Sequence, residues 1–430
     1  MPGLHALQKI LAAHASPCPS SIEPGEFLQI EPDVFAVQVA TNIEEVDRLE
    51  ADLGDLGVEE LPLKSKIFPF IDHGAPAPTA GIAAGQKRWR DFYRRHGIAI
   101  ADPGAGISHL ILTERGIVLP GSVIALRDSH TPTMGAVGAF AASLAGGTLS
   151  LFAIGRYWLD VPSVAMVRID GRLKKGVFGR DVALHVNGKL GQRGLLGRAV
   201  EFSGSYVNAL SMDMRFTLCN MGTEAGAMAS YVQPDNVTLA WVKDRAARAF
   251  QVFDTDPGYG YVDVHHFEIS ALEPQVAAPH APDNVKPLGE VEGRHIDQAY
   301  LGSCASGRLE DIAAAAAVLR GRKVHPDVRF IVTPGSREVI KAATRMGYMD
   351  VLNEANAIVT SANCGACPGL HGGILAPGEV AIACNTRNFP GRMGPGGEIY
   401  LASPASVAAS AIEGKIASPV KYLSSERKAP

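Results

Sequence analysis

The sequence predicts an α/β protein whose last third is a parallel sheet flanked by helices. Three observations carry that expectation. Short apolar runs alternate with helical stretches from Ile296 onward, and Gly, Ser or Pro marks each break. Chemically reactive residues fall just after the ends of these strand candidates, where open α/β sheets hold their sites. Finally, 46 glycines and 28 prolines in 430 residues give the loop content of a site built from many tight turns.

Taken in order, the chain opens with a short amphipathic helix, with Leu4, Leu7, Ile10 and Leu11 ahead of Ser16-Pro17. It has no arginine and no cleavage-site pattern, so it is not read as a signal or transit peptide. The first two-thirds is mixed α/β, with a soft boundary near Asp160-Val161-Pro162. The proline-containing stretch from Pro274 to Pro287 reads as a linker. The resulting division is 1–160, 161–285 and 286–430. In the last part, Ile296–Leu301 is a strand that turns at Gly302-Ser303-Cys304, and a helix runs from Leu309 to Arg320. Val328–Val332 is a strand and Arg337–Met346 a helix closed by Gly347. Ala357–Thr360, Val380–Ala383 and Ile399–Leu401 are further strands. The last leads into Ser403 as N-cap, Pro404 at the first helical position and a helix to Ile412.

Composition narrows the class. Forty Lys+Arg against 44 Asp+Glu leave a net charge of −4, which excludes a basic nucleic-acid face and a disordered acidic chain. No apolar run approaches the roughly 18 residues of a membrane span. Six cysteines are too few for a disulfide framework. The expectation is a soluble, cytoplasmic enzyme with neither nucleic-acid nor membrane partners.

Cys364 and Cys367 form a C-x-x-C, and Cys304 follows an equivalent strand end. Alone, the pair fits a redox dithiol, half a zinc site or part of an iron–sulfur site. Pro368-Gly369 breaks the helix a dithiol wants, and no second C-x-x-C completes a zinc site. Three thiolates suit a [4Fe–4S] cluster with one open iron, and Cys384 is the one obvious fourth ligand. Cys18 and Cys219 read as small buried apolar residues. Asp72-His73 and Asp128-Ser129-His130 each set an imidazole beside a carboxylate, as proton transfer requires, and His109 follows a glycine-bearing turn. Taken singly, each is an ordinary structural histidine. Asn220 and Glu224 share one face of what reads as the opening of a helix through Asn220–Ala227. Arg387 and Arg392 can fork onto one di- or tricarboxylate.

The stretches CNMGTEAGAMAS, LEPQVAAPHAPDNV, GSCASGRLEDI, NCGACPGLHGG and TRNFPGRMG together carry a resemblance. From Asp72 to Pro419 the chain resembles the aconitase superfamily, in particular its isopropylmalate dehydratase large subunits. The resemblance implies three-layer α/β/α modules around a central cluster site. It implies that Cys304, Cys364 and Cys367 ligate a [4Fe–4S] cluster whose open iron takes substrate hydroxyl and carboxylate. It pairs Asp72 with His73, Asp128 with His109 and Glu224 with His130. Asp72–His73 would protonate the leaving hydroxyl; Asn220, Arg387 and Arg392 would bind substrate. The resemblance implies that the swivel domain that completes such sites is expected not on this chain but on a separate small subunit. A polar tail, Ser424–Pro430, ends the sequence.

The implied reaction is reversible dehydration of a hydroxy di- or tricarboxylate, foremost 3-isopropylmalate in leucine biosynthesis. Homoaconitate, methylmalate (citraconate) and dimethylmalate hydro-lyases are alternatives. This chain has Ala305-Ser306 where the family carries Thr-Asn, and Thr386 where it carries Asn. Ile30–Pro69 lacks the family's His-Asp pair. The first two changes remove amide hydrogen bonds near the cluster. A non-catalytic iron–sulfur or zinc regulatory protein would not need the histidine–carboxylate pairs and both arginines. A dinucleotide oxidoreductase would need a G-x-G-x-x-G after a strand, and none opens a helix here.

Overall fold

The computed structural model describes residues 3–19, 21–39, 42–101, 103–143 and 147–423. The tail from Ser424 lies outside them. Three main sheets organise the chain. The first orders Ile67–Phe70, Val34–Gln38, Val123–Leu126 and Phe140–Ser143, all parallel. Every residue of Val123–Leu126 is buried, as expected of a central parallel strand covered on both faces. The second sheet orders Val264–Glu268, Ser163–Asp170, Arg198–Ser203 and Ala229–Tyr231, again parallel. Val161-Pro162 joins this sheet to Tyr157–Asp160, which pairs antiparallel with Phe27–Ile30.

The third sheet has seven strands. Glu398–Ala402, Val380–Ala383, Gln298–Leu301, Arg329–Val332 and Ile358–Val359 lie parallel in that order. The expected helices follow: Leu309–Leu319, Arg337–Arg345 and Pro404–Glu413, with Tyr348–Glu354 added after Gly347. Alanines let two of them pack closely, since Ala315, Ala316, Ala405, Ala408 and Ala409 are all buried.

The linker reading of Pro274–Pro287 is corrected. Gln275–Ala277 and Val285–Pro287 pair antiparallel, and the former also pairs with Glu398–Ala402. Residues 275–287 therefore belong to the third sheet, and a division at 285 cuts through it. Pro279 and Pro282 sit in the hairpin's connection, where a missing N–H costs no ladder bond. The stretch Asn220–Ala227 is also corrected: it closes a helix, Met212–Gly222, rather than opening one. A 3₁₀ turn, Thr223–Ala225, follows and ends at the left-handed Gly226. The N-terminal helix forms over Ala6–His14 with Leu7, Ile10 and Leu11 buried. Cys219 is buried as expected, but Cys18 is exposed. Flanked by Pro17 and Pro19, it sits in irregular chain beyond that helix and reaches no core. Among the described residues, no helix is long and apolar enough to cross a membrane.

Candidate active site

The ends of strands from the first and third sheets meet. Gln38 closes one strand, and Asp72 follows Phe70 at the end of its neighbour. The Asp72 carboxylate is buried and accepts from the Ser108 backbone N–H at 2.9 Å and from Gln38 Nε2 at 3.1 Å. His73 Nδ1 lies 3.0 Å from Asp72 Oδ1. Burial alone would raise the carboxyl, but the imidazole, the N–H donor and Gln38 outweigh it and hold Asp72 at about 2. Burial would likewise lower His73; the Asp72 hydrogen bond and charge, joined by Asp128, raise it instead.

A second cluster is built around Asp128. His109 Nε2 lies 3.2 Å from Asp128 Oδ1, near enough for charge attraction but misaligned for a hydrogen bond. His130 Nε2 meets Glu224 Oε1 at 2.8 Å, and its Nδ1 lies 3.6 Å from Asp128. Burial opposes charge on all three, yet the opposite charges win. His130 is raised by both carboxylates, Asp128 is driven well below its usual range by the two imidazoles, and Glu224 is lowered by His130 and Arg387. Arg387 Nε sits 2.9 Å from Glu224 Oε1, and its Nη1 donates to Ser129 Oγ at 3.0 Å.

The thiols complete the wall. Cys304 lies in the turn after Gln298–Leu301, next to Ser303, whose φ of 77° is left-handed for a non-glycine. Asn220 Nδ2 donates to Cys304 Sγ at 3.2 Å, and Arg392 Nη2 approaches Cys367 Sγ at 3.7 Å. The Cys364 N–H donates to the Asp72 carbonyl at 3.0 Å, tying the loop of the third sheet to the first. Gly365 is required between the two cysteines: its φ is +55°, and a Cβ there would meet Tyr300 Oη at 2.5 Å and Thr333 Oγ1 at 2.7 Å. Burial raises the thiols of Cys304 and Cys364. Negative charge adds to it, from Asp128 and Cys367 at Cys304 and from Asp72, Cys304 and Cys367 at Cys364. Cys384 is fully buried too, but its charged neighbours are Arg180, Asp311 and Asp181, not the other thiols.

The structure thus brings all twelve sequence-derived residues around one strand-end face. Glu224 and Asn220 are both buried. Sequence reading missed Gln38, Ser108 and Ser129. A glutamine at a strand's carboxyl end was the available signal for the first; the two serines carry none.

Among the described residues, several buried polar atoms here have no hydrogen-bond partner: His109 Nε2, Asn220 Oδ1, Ser306 Oγ, Thr386 Oγ1 and Arg392 Nε. Native proteins rarely leave such atoms unpaired, so they point to a bound group. Three buried thiols need a bound cation to be held as thiolates, which is the donor set an iron–sulfur cluster uses. Asp72, His73 and Cys364 also offer ligand atoms within 4.8 Å of one another, but that set has one thiol and its acid–imidazole pair is already bonded.

A thiol wall, imidazole–carboxylate pairs and two guanidinium groups define a lyase-type centre for anionic substrates. Comparison with known proteins gives the family. Residues 85–295 and 286–414 match the aconitase family (aconitate hydratase). A "probable methanogen homoaconitase large subunit" from Methanothermobacter thermautotrophicus is 42% identical over 419 residues, 97% of each chain. A 3-isopropylmalate dehydratase large subunit from Methanopyrus kandleri is 45% identical over 404 residues, 93% of this chain and 96% of its own. Another, from Aquifex aeolicus, is 40% identical over 432 residues, 99% of both. The chain belongs to the aconitase family and is a hydro-lyase of that family. Membership implies an iron–sulfur cluster, which the donor set above fits.

One consequence concerns the Asp72–His73 pair. His73→Gln is expected to lower kcat by about a hundredfold to ten-thousandfold, the usual range for losing a general acid. Asp72→Asn should leave the acid in place but weaken its hold on the proton, because the carboxylate is what raises His73. The alkaline limb of the kcat/KM profile then moves to lower pH. A limb that stays where it was would separate the pair functionally.

Proposed function

We propose that this chain is the large subunit of a [4Fe–4S] hydro-lyase that reversibly dehydrates a hydroxy di- or tricarboxylate, with 3-isopropylmalate, an intermediate of leucine biosynthesis, as substrate. The observation that carries it is the meeting of three buried thiols, the Asp72–His73 pair and two arginines at one strand-end face. Cys304, Cys364 and Cys367 would hold the cluster, and the cluster supplies Lewis-acid activation of the substrate hydroxyl when bound. His73, whose hold on a proton Asp72 strengthens, supplies the proton that the departing hydroxyl needs. Arg387 and Arg392 hold the carboxylates and fix which carbon faces the acid. Glu224 orients Arg387 and His130 together, because it contacts both.

The curated relatives are named large subunits, which supports a separate small subunit here, carrying the swivel domain. A homoaconitate-type tricarboxylate is the second reading, favoured by the Methanothermobacter relative's name.

The test is anaerobic reconstitution with the small subunit, followed by a screen of hydroxy acids for ultraviolet absorbance of the unsaturated product. The large subunit alone should show little turnover, and the partner should restore it, with 3-isopropylmalate the best substrate. A preference for a tricarboxylate would establish the second reading. Full activity of the purified single chain would refute the partner.

A further inference from the structure

Arg180, at the start of the helix Gly179–Leu190, is among the largest side chains wholly removed from solvent, at 1% exposed. Burying a guanidinium is costly unless it is paired. Arg215, the other buried arginine of that size, is paired: its Nη1 and Nη2 meet both oxygens of Asp235 at 2.7 and 2.6 Å. Among the described residues Arg180 has no such partner: its Nη2 donates to the backbone carbonyl of Asn385, while Nε and Nη1 make no hydrogen bond. Asp311 and Glu224 attract this cation through space, but the hydrogen bond it makes is to one backbone carbonyl, which calls for an explanation in what that carbonyl does.

Asn385 is two residues before Arg387, in the turn that leaves the strand Val380–Ala383. On one side of the turn, the Cys384 N–H is held by the Tyr300 carbonyl at 2.9 Å. On the other, Asn388 Nδ2 is fixed by the carbonyls of Ala277, Ala278 and Ile399. Between these anchors, both side-chain amide atoms of Asn385 and the Thr386 hydroxyl are unpartnered. Among the described residues, no hydrogen bond other than Arg180's reaches Asn385 or Thr386.

We propose that Arg180 is a positioning residue for Arg387: it pins the otherwise unsupported carbonyl of Asn385 and so sets where the Arg387 guanidinium meets the substrate carboxylate. Arg180 touches no substrate. The proposal rests on the reading of Arg387 as a carboxylate-binding residue, and it adds a link from the second sheet's helix to a turn of the third.

The test uses the cluster-loaded heteromer with Arg180→Met, which keeps the length and removes the donors, and Arg180→Lys, which keeps the charge and a donor. Arg180→Met should raise KM for the hydroxy acid about ten- to hundredfold, the loss expected for a charged hydrogen bond, with kcat within about threefold of wild type. Amide hydrogen exchange across 384–388, measured without substrate, should rise in the same variant. Arg180→Lys should restore both to within about threefold. A merely structural role would instead lower the active fraction, so kcat would fall at unchanged KM, and that result overturns the proposal. So does unchanged exchange in a folded Arg180→Met. If Arg180→Met does not fold, Arg180→Lys decides: KM raised about tenfold or more with wild-type exchange in 384–388 would mean that Arg180 acts by another route. A wild-type heteromer without dehydratase activity would defeat the functional reading alone, since the exchange measurement stands without it.

Discussion

Replacing Cys304, Cys364 or Cys367 with serine is expected to abolish the cluster, each by itself. All three thiols are buried and each would hold one iron, so the loss of one leaves an iron without its protein ligand. Iron and sulfide content, together with visible absorbance of the anaerobic protein, report the outcome. Cys18→Ser and Cys219→Ser should retain the cluster. Cys384→Ser is the sharper control, because that thiol is as buried as the others but faces Arg180, Asp181 and Asp311. A cluster lost in Cys384→Ser would make it a ligand and overturn the three-thiol assignment. So would a colourless, zinc-loaded protein with full activity.

Arg392→Lys is expected to be nearly as damaging as Arg392→Ala. Truncating one partner of a desolvated charge pair costs on the order of 2–5 kcal/mol, which is a loss of roughly thirtyfold or more in kcat/KM. Lysine keeps the charge but cannot make a planar two-point contact. The same holds for Arg387→Lys, with an added cost: the Nε contact to Glu224 and the Nη1 contact to Ser129 would be lost, leaving both side chains held by His130 alone among the described residues. If both lysine variants keep wild-type turnover and KM, neither arginine clamps a carboxylate.

Much of this was legible before the structure, for reasons that differ by region. The five parallel strands of the third sheet were readable because each is a short apolar run ended by a turn residue. The hairpin Gln275–Ala277 and Val285–Pro287 was not, since its strands have three residues each and prolines around them, the composition of a linker. The end of Met212–Gly222 was misread because small residues fit either terminus; the left-handed Gly226 was the distinguishing signal. The cysteines and histidine–carboxylate pairs were found through motifs. Gln38 and Arg180 belong to none, and only the folded arrangement gives a lone glutamine or a buried arginine its role.

The string His109, Asp128, His130, Glu224, Arg387 alternates base and acid along its whole length, with neighbours 2.8 to 3.6 Å apart. In such a string each charged contact leans on the next, so removing one side chain changes what its neighbour is paired with. Kinetic penalties measured one residue at a time along it will therefore not sum, and a double variant such as His130→Gln with Glu224→Gln should cost less than the two singles together. Assigning separate percentages of catalysis to these five side chains would be an error of accounting, however precisely each variant were measured.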